Sequence, residues 1–367
     1  MCTGNDLLAA MQFLGETFDG VPLGTPSGRT VMRTRLIPIV VSFSAVMPEL
    51  NTALAQERNA LPFPPGTKAA IEEFFNNQIP SDPAKSGVVS LREAIDAVVA
   101  AKLEFQIESL CGADDSQDVE LYDGSLGPSK DFVRSNEPMT AQIQWNDNLA
   151  AKYAPPEGDP GNVSGARWCT GTLIAEDRFL TAGHCFDRDG GGWVRPKKFA
   201  DGQWTVISEW EIARNMHVNF GYQIDADTHA IRTPTVFPIV ELLEHRRGDL
   251  DYALVKLGPG ADGKLPGNVF GIRQVSANEP ALGALLTLLQ HPGGQPKKIE
   301  AGPLSLTADG LLQYNDLDTL GGSSGSGVLN EGGEVVGVHV LGGCTALGAG
   351  FNKAVPMTSI MFVSDLL

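Results

Sequence analysis

The sequence predicts a mostly β protein of antiparallel sandwich or barrel type, preceded by a smaller, partly helical segment. Three observations carry this. From about residue 139 the chain runs in short apolar or alternating stretches, among them "TAQIQW", "GTLIAEDRFLTAG", "YALVKLG", "LLTLLQHPGG" and "EVVGVHVLGG". Glycine (42 residues) and proline (24) punctuate these runs, as a turn-rich β fold requires, within a chain of 367 residues. Upstream the period changes: "TKAAIEEFFNNQ" (67–78) and "SLREAIDAVVAAKLEFQIESL" (90–110) read as helices. The second opens on Ser90 with Glu93 at capping-box spacing, and Leu91, Ile95, Val98, Val99 and Leu103 lie near one face.

Taken in order, the chain divides into three parts: an upstream segment (1–55), a helical pro-region or accessory segment with its linker (56–135), and the β domain (136–367). From Met32 the chain reads "MRTRLIPIVVSFSAVMPELNTALAQE", with Arg33 and Arg35 before an apolar run and Ala53-Leu54-Ala55 after it. That is the layout of a signal peptide (32–55), which predicts a start at Met32 and a secreted or periplasmic product. The alternative is that 36–47 is a buried strand of a cytoplasmic protein. Five cysteines become an even four once the first 55 residues are lost, which suits disulfides in an oxidising compartment. The stretch 112–138, rich in Gly, Ser, Asp and Pro, reads as a linker.

Composition excludes some partners. A net charge of -17 repels phosphate backbones, so nucleic acid is not expected. No apolar run reaches the roughly eighteen residues of a membrane span, so no membrane partner is expected either.

Three local sequences in the β domain bear chemistry. In "WCTGTLIAEDRFLTAGHC" (168–185) two strands flank a turn at Glu176-Asp177, so Cys169 and Cys185 can meet across the hairpin. A disulfide there closes a short loop, worth roughly 3 kcal/mol, and steadies the loop carrying His184. In "RGDLDYALVKLG" (247–258), Asp251 stands at a strand entry, where a half-buried carboxylate needs a partner such as an imidazole N–H. Asp249 is the alternative acid. In "DTLGGSSGSGV" (318–328), glycines around Ser324 allow a tight turn with successive N–H groups converging on one point.

"LTAGHC", "DYALVKL" and "GGSSGSG", in that order, resemble the three signature blocks of the chymotrypsin-like serine peptidases over roughly 139–365. "DTLGGSSGSGVLNEGGEVVGVHVLGG" and "LLQHPGGQPKKI" are similar to segments of the bacterial glutamyl-endopeptidase branch. The resemblance implies two six-stranded antiparallel β-barrels with the site between them. It implies His184 as general base, Asp251 as the group orienting it, and Ser324 as the nucleophile that forms an acyl-enzyme. The N–H groups of Gly322 and Ser324 would form the oxyanion hole, and His291 would be structural. Protein or peptide substrates, a monomer, and neither cofactor nor metal follow from the same likeness.

The chain also departs from the family pattern. Ser323 replaces the aspartate that serves zymogen activation in animal digestive members, so that switch is expected to be absent. Gly327 replaces a usual proline. The His184-to-Asp251 spacing is long, and "DRDGGGWVRPKKFADGQW" (187–204), with Asp187 and Asp189, is expected to be an inserted surface loop. Leu320 stands where Cys344 would have its usual partner, so Cys344 is expected to pair with Cys111. The specificity pocket is expected at Asp318, Thr319, His339 and Gly342. Asp318 in the pocket implies Arg/Lys substrates, whereas Thr319 and His339 imply Glu/Asp; acidic specificity is the favoured expectation. Self-cleavage after Glu120 would fit it. Other readings are an intracellular regulatory or defence protease and an inactive relative that only binds.

Overall fold

The described residues of the computed structural model are 110–189, 193–345 and 348–367. They fall within the compact unit Glu57–Leu367. The expectations for the upstream helices, the start at Met32 and the signal segment lie outside the described residues.

The first half closes into the expected six-stranded barrel. Around the barrel run Tyr252–Leu257, Arg178–Thr181, Arg167–Leu173, Thr140–Trp145, Met216–Phe220 and Thr235–Arg246, which pairs back to the first. All neighbours are antiparallel. The interior is aromatic: Phe220 packs edge-on against Phe179 and Phe237 at 6.0 and 5.4 Å and stacks on Phe270 at 4.6 Å. Space is tight enough that a Cβ on Gly171 would stand 2.3 Å from the Phe179 ring.

The second half is an eight-stranded antiparallel sheet. Six inner strands run in the order Lys298–Pro303, Leu285–Gln290, Gly327–Leu329, Val335–Leu341, Asn352–Pro356 and Leu311–Tyr314. Short strands Gln117–Asp118 and Leu306–Ala308 extend its two edges. The all-β class holds, with a closed six-stranded barrel in the first half and six inner strands of the eight-stranded sheet in the second. The difference from the expected pair of closed barrels is that these additions occupy the two edges, where closure would have joined the inner strands to each other. Buried Leu286, Leu288, Leu312, Tyr314, Leu317 and Val336 form part of a core cluster on this side.

The stretch 112–138 corrects the linker reading, because it is built into the second half. Gln117 pairs with Ile299, and the helix Lys130–Asn136 is capped by the Ser129 hydroxyl accepting the Phe132 N–H at 3.1 Å. Val119, Tyr122 and Val133 are buried, and the fully buried Lys297 ammonium donates to Glu137 at 2.7 Å. Glu120 is ion-paired with Arg232 at 2.7 Å and accepts from Gln223 at 2.6 Å, so the bond expected to be self-cleaved lies in tethered chain.

The inserted segment 187–204 is also more than a loop. Lys197–Ala200 and Gln203–Val206 form a hairpin that takes Gly158–Asp159 as a third strand. Asp187, at the start of the segment, pairs with Arg247 at 2.6 Å. At the far end, the helix Met357–Val363 follows the second sheet, and the chain then crosses to the first barrel. There Arg178 donates to the Leu366 carbonyl at 3.0 Å, and the Ser364 hydroxyl donates to Glu244 at 2.7 Å. No described helix is long and apolar enough to cross a membrane.

Candidate active site

The hairpin Arg167–Leu173/Arg178–Thr181 forms as expected, and Cys169 and Cys185 are disulfide-bonded at its open end. Just beyond, Gly183 is the residue that lets His184 reach its acid. A Cβ at 183 would lie 2.0 Å from the Arg246 carbonyl and 2.9 Å from an Asp251 oxygen. The loop can therefore press against the Arg246–Tyr252 chain only where there is no side chain.

Asp251 grips His184 twice. The His184 backbone N–H donates to Oδ1 at 2.8 Å, and ring Nδ1 lies 2.7 Å from Oδ2. With Nδ1–H as donor, Nε2 is left with its lone pair. The Arg247 guanidinium reaches Oδ1 at 2.9 Å while also holding Asp187. Burial would raise the Asp251 carboxyl, but the His184 hydrogen bond and charge and the Arg247 charge outweigh it. The net result lies below the usual carboxylate range. The His184 side chain is 28% exposed against 9% for Asp251, so the ring opens to solvent while its acid does not. Asp249 lines the adjoining cleft, but it is Asp251 that contacts His184.

The Ser324 loop is set beside this pair by close backbone contacts. The Thr170 N–H donates to the Ser324 carbonyl at 2.9 Å, and Cys185 Sγ lies 4.0 Å from the same oxygen. Gly325 has φ 90°, and a Cβ there would lie 2.1 Å from the Thr181 hydroxyl. Gly322 has φ 104°, and a Cβ there would lie 2.7 Å from the His291 carbonyl. Both glycines are therefore required twice over, by dihedral and by space. Thr170 is a residue that sequence reasoning missed. Its hydroxyl donates to the Gly322 carbonyl at 2.8 Å and accepts the His291 N–H at 3.0 Å, joining the first barrel to this loop. His291 itself is buried, stacks on Tyr222 and is pushed down to about 3 by burial, as a structural residue would be.

A cleft of about 430 Å³ opens alongside, lined by His184, Arg247 and Asp251 from the first barrel and by Leu311, Val340 and Val355 from the second. The candidate specificity residues surround the serine loop unevenly. The backbones of His339 and the serine loop are joined by Gly325 N–H to the His339 carbonyl at 2.7 Å and His339 N–H to the Ser326 carbonyl at 2.9 Å. The His339 ring is buried, and Nδ1 lies 2.6 Å from the Tyr314 hydroxyl. Burial, helped by the nearby His184, pushes His339 down to about 3, so it is neutral. Tyr314, also buried, keeps its proton well above the ordinary tyrosine range. Thr319 is buried, whereas Gly342 is exposed just past the strand Val335–Leu341.

Asp318 departs from the basic-specificity expectation. Its carboxylate faces the N-terminal stretch, accepting the Cys111 N–H at 2.6 Å and the Asp115 N–H at 3.3 Å. Burial, with Asp114 and Asp115 close by, pushes it up to about 6 against those two amides. Cys111 is held there by the expected disulfide to Cys344. Cys169, His184 and Cys185 also lie together, but both sulfurs are used in the disulfide, leaving no thiolate for a metal.

Residues 169–338 match the family described as Trypsin-like peptidase domain. The glutamyl endopeptidase of Staphylococcus aureus strain MW2 is 35% identical over 223 residues, covering 59% of this chain and 60% of that protein. Secreted RxLR effector protein 73 of Plasmopara viticola is 26% identical over 299 residues, covering 76% and 63%. A solved Glu endopeptidase in complex with MPD aligns with a TM-score of 0.43 at 19% identity, covering 68% of this chain and 94% of that one. The chain spans between 38% and 63% of the length of the curated relatives it matches first.

Proposed function

Since the chain belongs to the trypsin-like peptidases, we propose that it is a serine endopeptidase that cuts protein substrates after acidic residues. The observation that carries the reaction is the doubly hydrogen-bonded His184–Asp251 pair beside the glycine-framed Ser324 loop. In this reading Nε2 of His184 takes the proton of the Ser324 hydroxyl as the oxygen attacks the scissile carbonyl. Asp251, held ionised, stabilises the imidazolium. The N–H groups of Gly322 and Ser324 receive the oxyanion, and His184 passes its proton to the leaving amine. Water then repeats the sequence on the acyl-enzyme.

Acidic specificity is supported by two features. The Asp318 carboxylate is engaged by the Cys111 and Asp115 amides, so the anion that basic side chains would need is turned elsewhere. His339 is neutral, and its Nδ1 can accept a hydrogen bond from the Tyr314 hydroxyl 2.6 Å away. In that arrangement the ring proton stands on Nε2, a donor suited to a substrate carboxylate. Two disulfides support a secreted or periplasmic setting.

The test uses matched chromogenic peptides ending in Glu, Asp, Ala or Arg, together with a fluorophosphonate probe. Labelling that is lost in Ser324→Ala and a preference for Glu are expected. Preferential cleavage of the Arg peptide would overturn the specificity, and absence of labelling would overturn the mechanism.

A further inference from the structure

The loops that carry His184 and Asp251 are joined a second time, through Arg247. Its Nε donates to Asp187 Oδ1 at 2.6 Å, and its Nη1 lies 2.9 Å from Asp251 Oδ1. Asp187 stands just past the short turn Gly183–Phe186, and its backbone N–H donates to the His184 carbonyl at 3.1 Å. Arg247 stands just before the turn Gly248–Leu250, with Asp251 at that turn's far end. Gly248, at φ 85°, lets the chain fold back directly after Arg247. The contacts close into a ring: His184 to Asp187 along the backbone, Asp187 to Arg247 to Asp251 through side chains, and Asp251 back to the imidazole at 2.7 Å. Neither acid of this bridge is freely solvated: the Asp251 side chain is 9% exposed and that of Asp187 24%, against 42% for Arg247 itself.

That placement separates Arg247 from an ordinary surface ion pair, which contributes little. A carboxylate turns easily about its last torsion unless both oxygens are held. Asp251 Oδ1 accepts from the His184 N–H at 2.8 Å and from Arg247, which leaves Oδ2 aimed at Nδ1. The planar guanidinium reaches both acids at once because its donors point in fixed, diverging directions, which a lysine ammonium on its flexible stem does not reproduce. Its charge has a second effect. A cation beside Asp251 opposes the positive charge that His184 acquires when it takes a proton. Loss of Arg247 therefore has two separable results: a poorly aimed acid, and a base that is protonated at higher pH. Asp249 and Asp309 line the same cleft and His339 lies nearby, and all three stay the same between the variants compared below.

We propose that Arg247 is a positioning residue for the peptidase reaction: clasped between Asp187 and Asp251, it aims the Asp251 carboxylate at His184 and ties the inserted segment 187–204 to the site. This role rests on the peptidase reading, and the test separates the two.

The full chain is compared with Arg247→Met, Arg247→Lys and Asp187→Asn on whichever matched chromogenic peptide the parent cleaves best. Rates are expressed per active site, counted by endpoint fluorophosphonate labelling of Ser324, so unfolded chain does not enter them. Arg247→Met should lower kcat by about ten- to a hundredfold, with KM changed by about twofold or less. Its acid limb of kcat/KM against pH should move up by about half a unit, the scale of a partly exposed charge pair. Arg247→Lys keeps the charge, so its limb should stay at the parent's position while kcat recovers only in part. Asp187→Asn, which frees the other end of the guanidinium and keeps the cation, should lower kcat without an upward move of the limb. The proposal is overturned by an active parent together with an Arg247→Met variant that keeps its kcat, is impaired only in KM, or leaves the limb in place. It is overturned equally by an Arg247→Lys limb that follows that of Arg247→Met. A parent that does not label at Ser324 overturns the peptidase reading and, with it, this role for Arg247.

Discussion

Replacing Tyr314 with phenylalanine removes one oxygen and tests how the candidate pocket is tuned. The Tyr314 hydroxyl, 2.6 Å from His339 Nδ1, is held protonated well above its usual range, and the His339 ring is neutral. With the hydroxyl as donor and Nδ1 as acceptor, the ring proton stands on Nε2. In Tyr314→Phe, Nδ1 is buried without a donor, a loss of about 1–3 kcal/mol in stability. The ring can then move its proton to Nδ1 and offer a lone pair from Nε2 to an incoming carboxylate, which repels it. Each 1.4 kcal/mol or so is a factor of ten, so discrimination between Glu and Ala peptides should fall by about ten- to a hundredfold. The assay is kcat/KM on the matched pair, with a melting curve to score folding. A variant that melts earlier but keeps its Glu/Ala ratio, or that loses both substrates equally, would refute the tautomer argument.

Two further outcomes follow from burial and covalent ties. His291 and His339 are both held at about 3 against 6.5 for a free imidazole, so the fold requires them neutral. Their contribution is complete above 6.5 and is lost as pH falls toward 3, with each costing about 2 kcal/mol near pH 5. The melting temperature should drop between neutral pH and that point, and His339→Gln should flatten part of the drop; an unchanged slope would count against it. The disulfides close loops of very different size, with separations of 233 for Cys111–Cys344 and 16 for Cys169–Cys185. Loop entropy assigns them about 5 and about 3 kcal/mol, so Cys111→Ser with Cys344→Ser should cost more in chemical denaturation than the other pair.

What the sequence makes legible is local or carried by motif. Cys169 and Cys185 flank one turn, so their bond follows from a hairpin that alternation already predicts. The blocks around His184, Asp251 and Ser324 announce themselves by order and by glycine placement. Distant partners are not legible. The direction of the Asp318 carboxylate is set by the amides of Cys111 and Asp115, 207 and 203 residues away. Thr170 gives no sign of its hydroxyl bond to Gly322 across 152 residues. The stretch 112–138 misleads because its composition reports turns, while its anchors are three scattered side chains, Val119, Tyr122 and Val133.

The Cys111–Cys344 bond also decides what happens after a cut. A nick anywhere between those two positions yields pieces that stay coupled through sulfur, so the product migrates as one species until a reductant is added. Maturation downstream of Cys111 would thus give a two-chain molecule rather than a shortened one, with the severed leader riding on its parent.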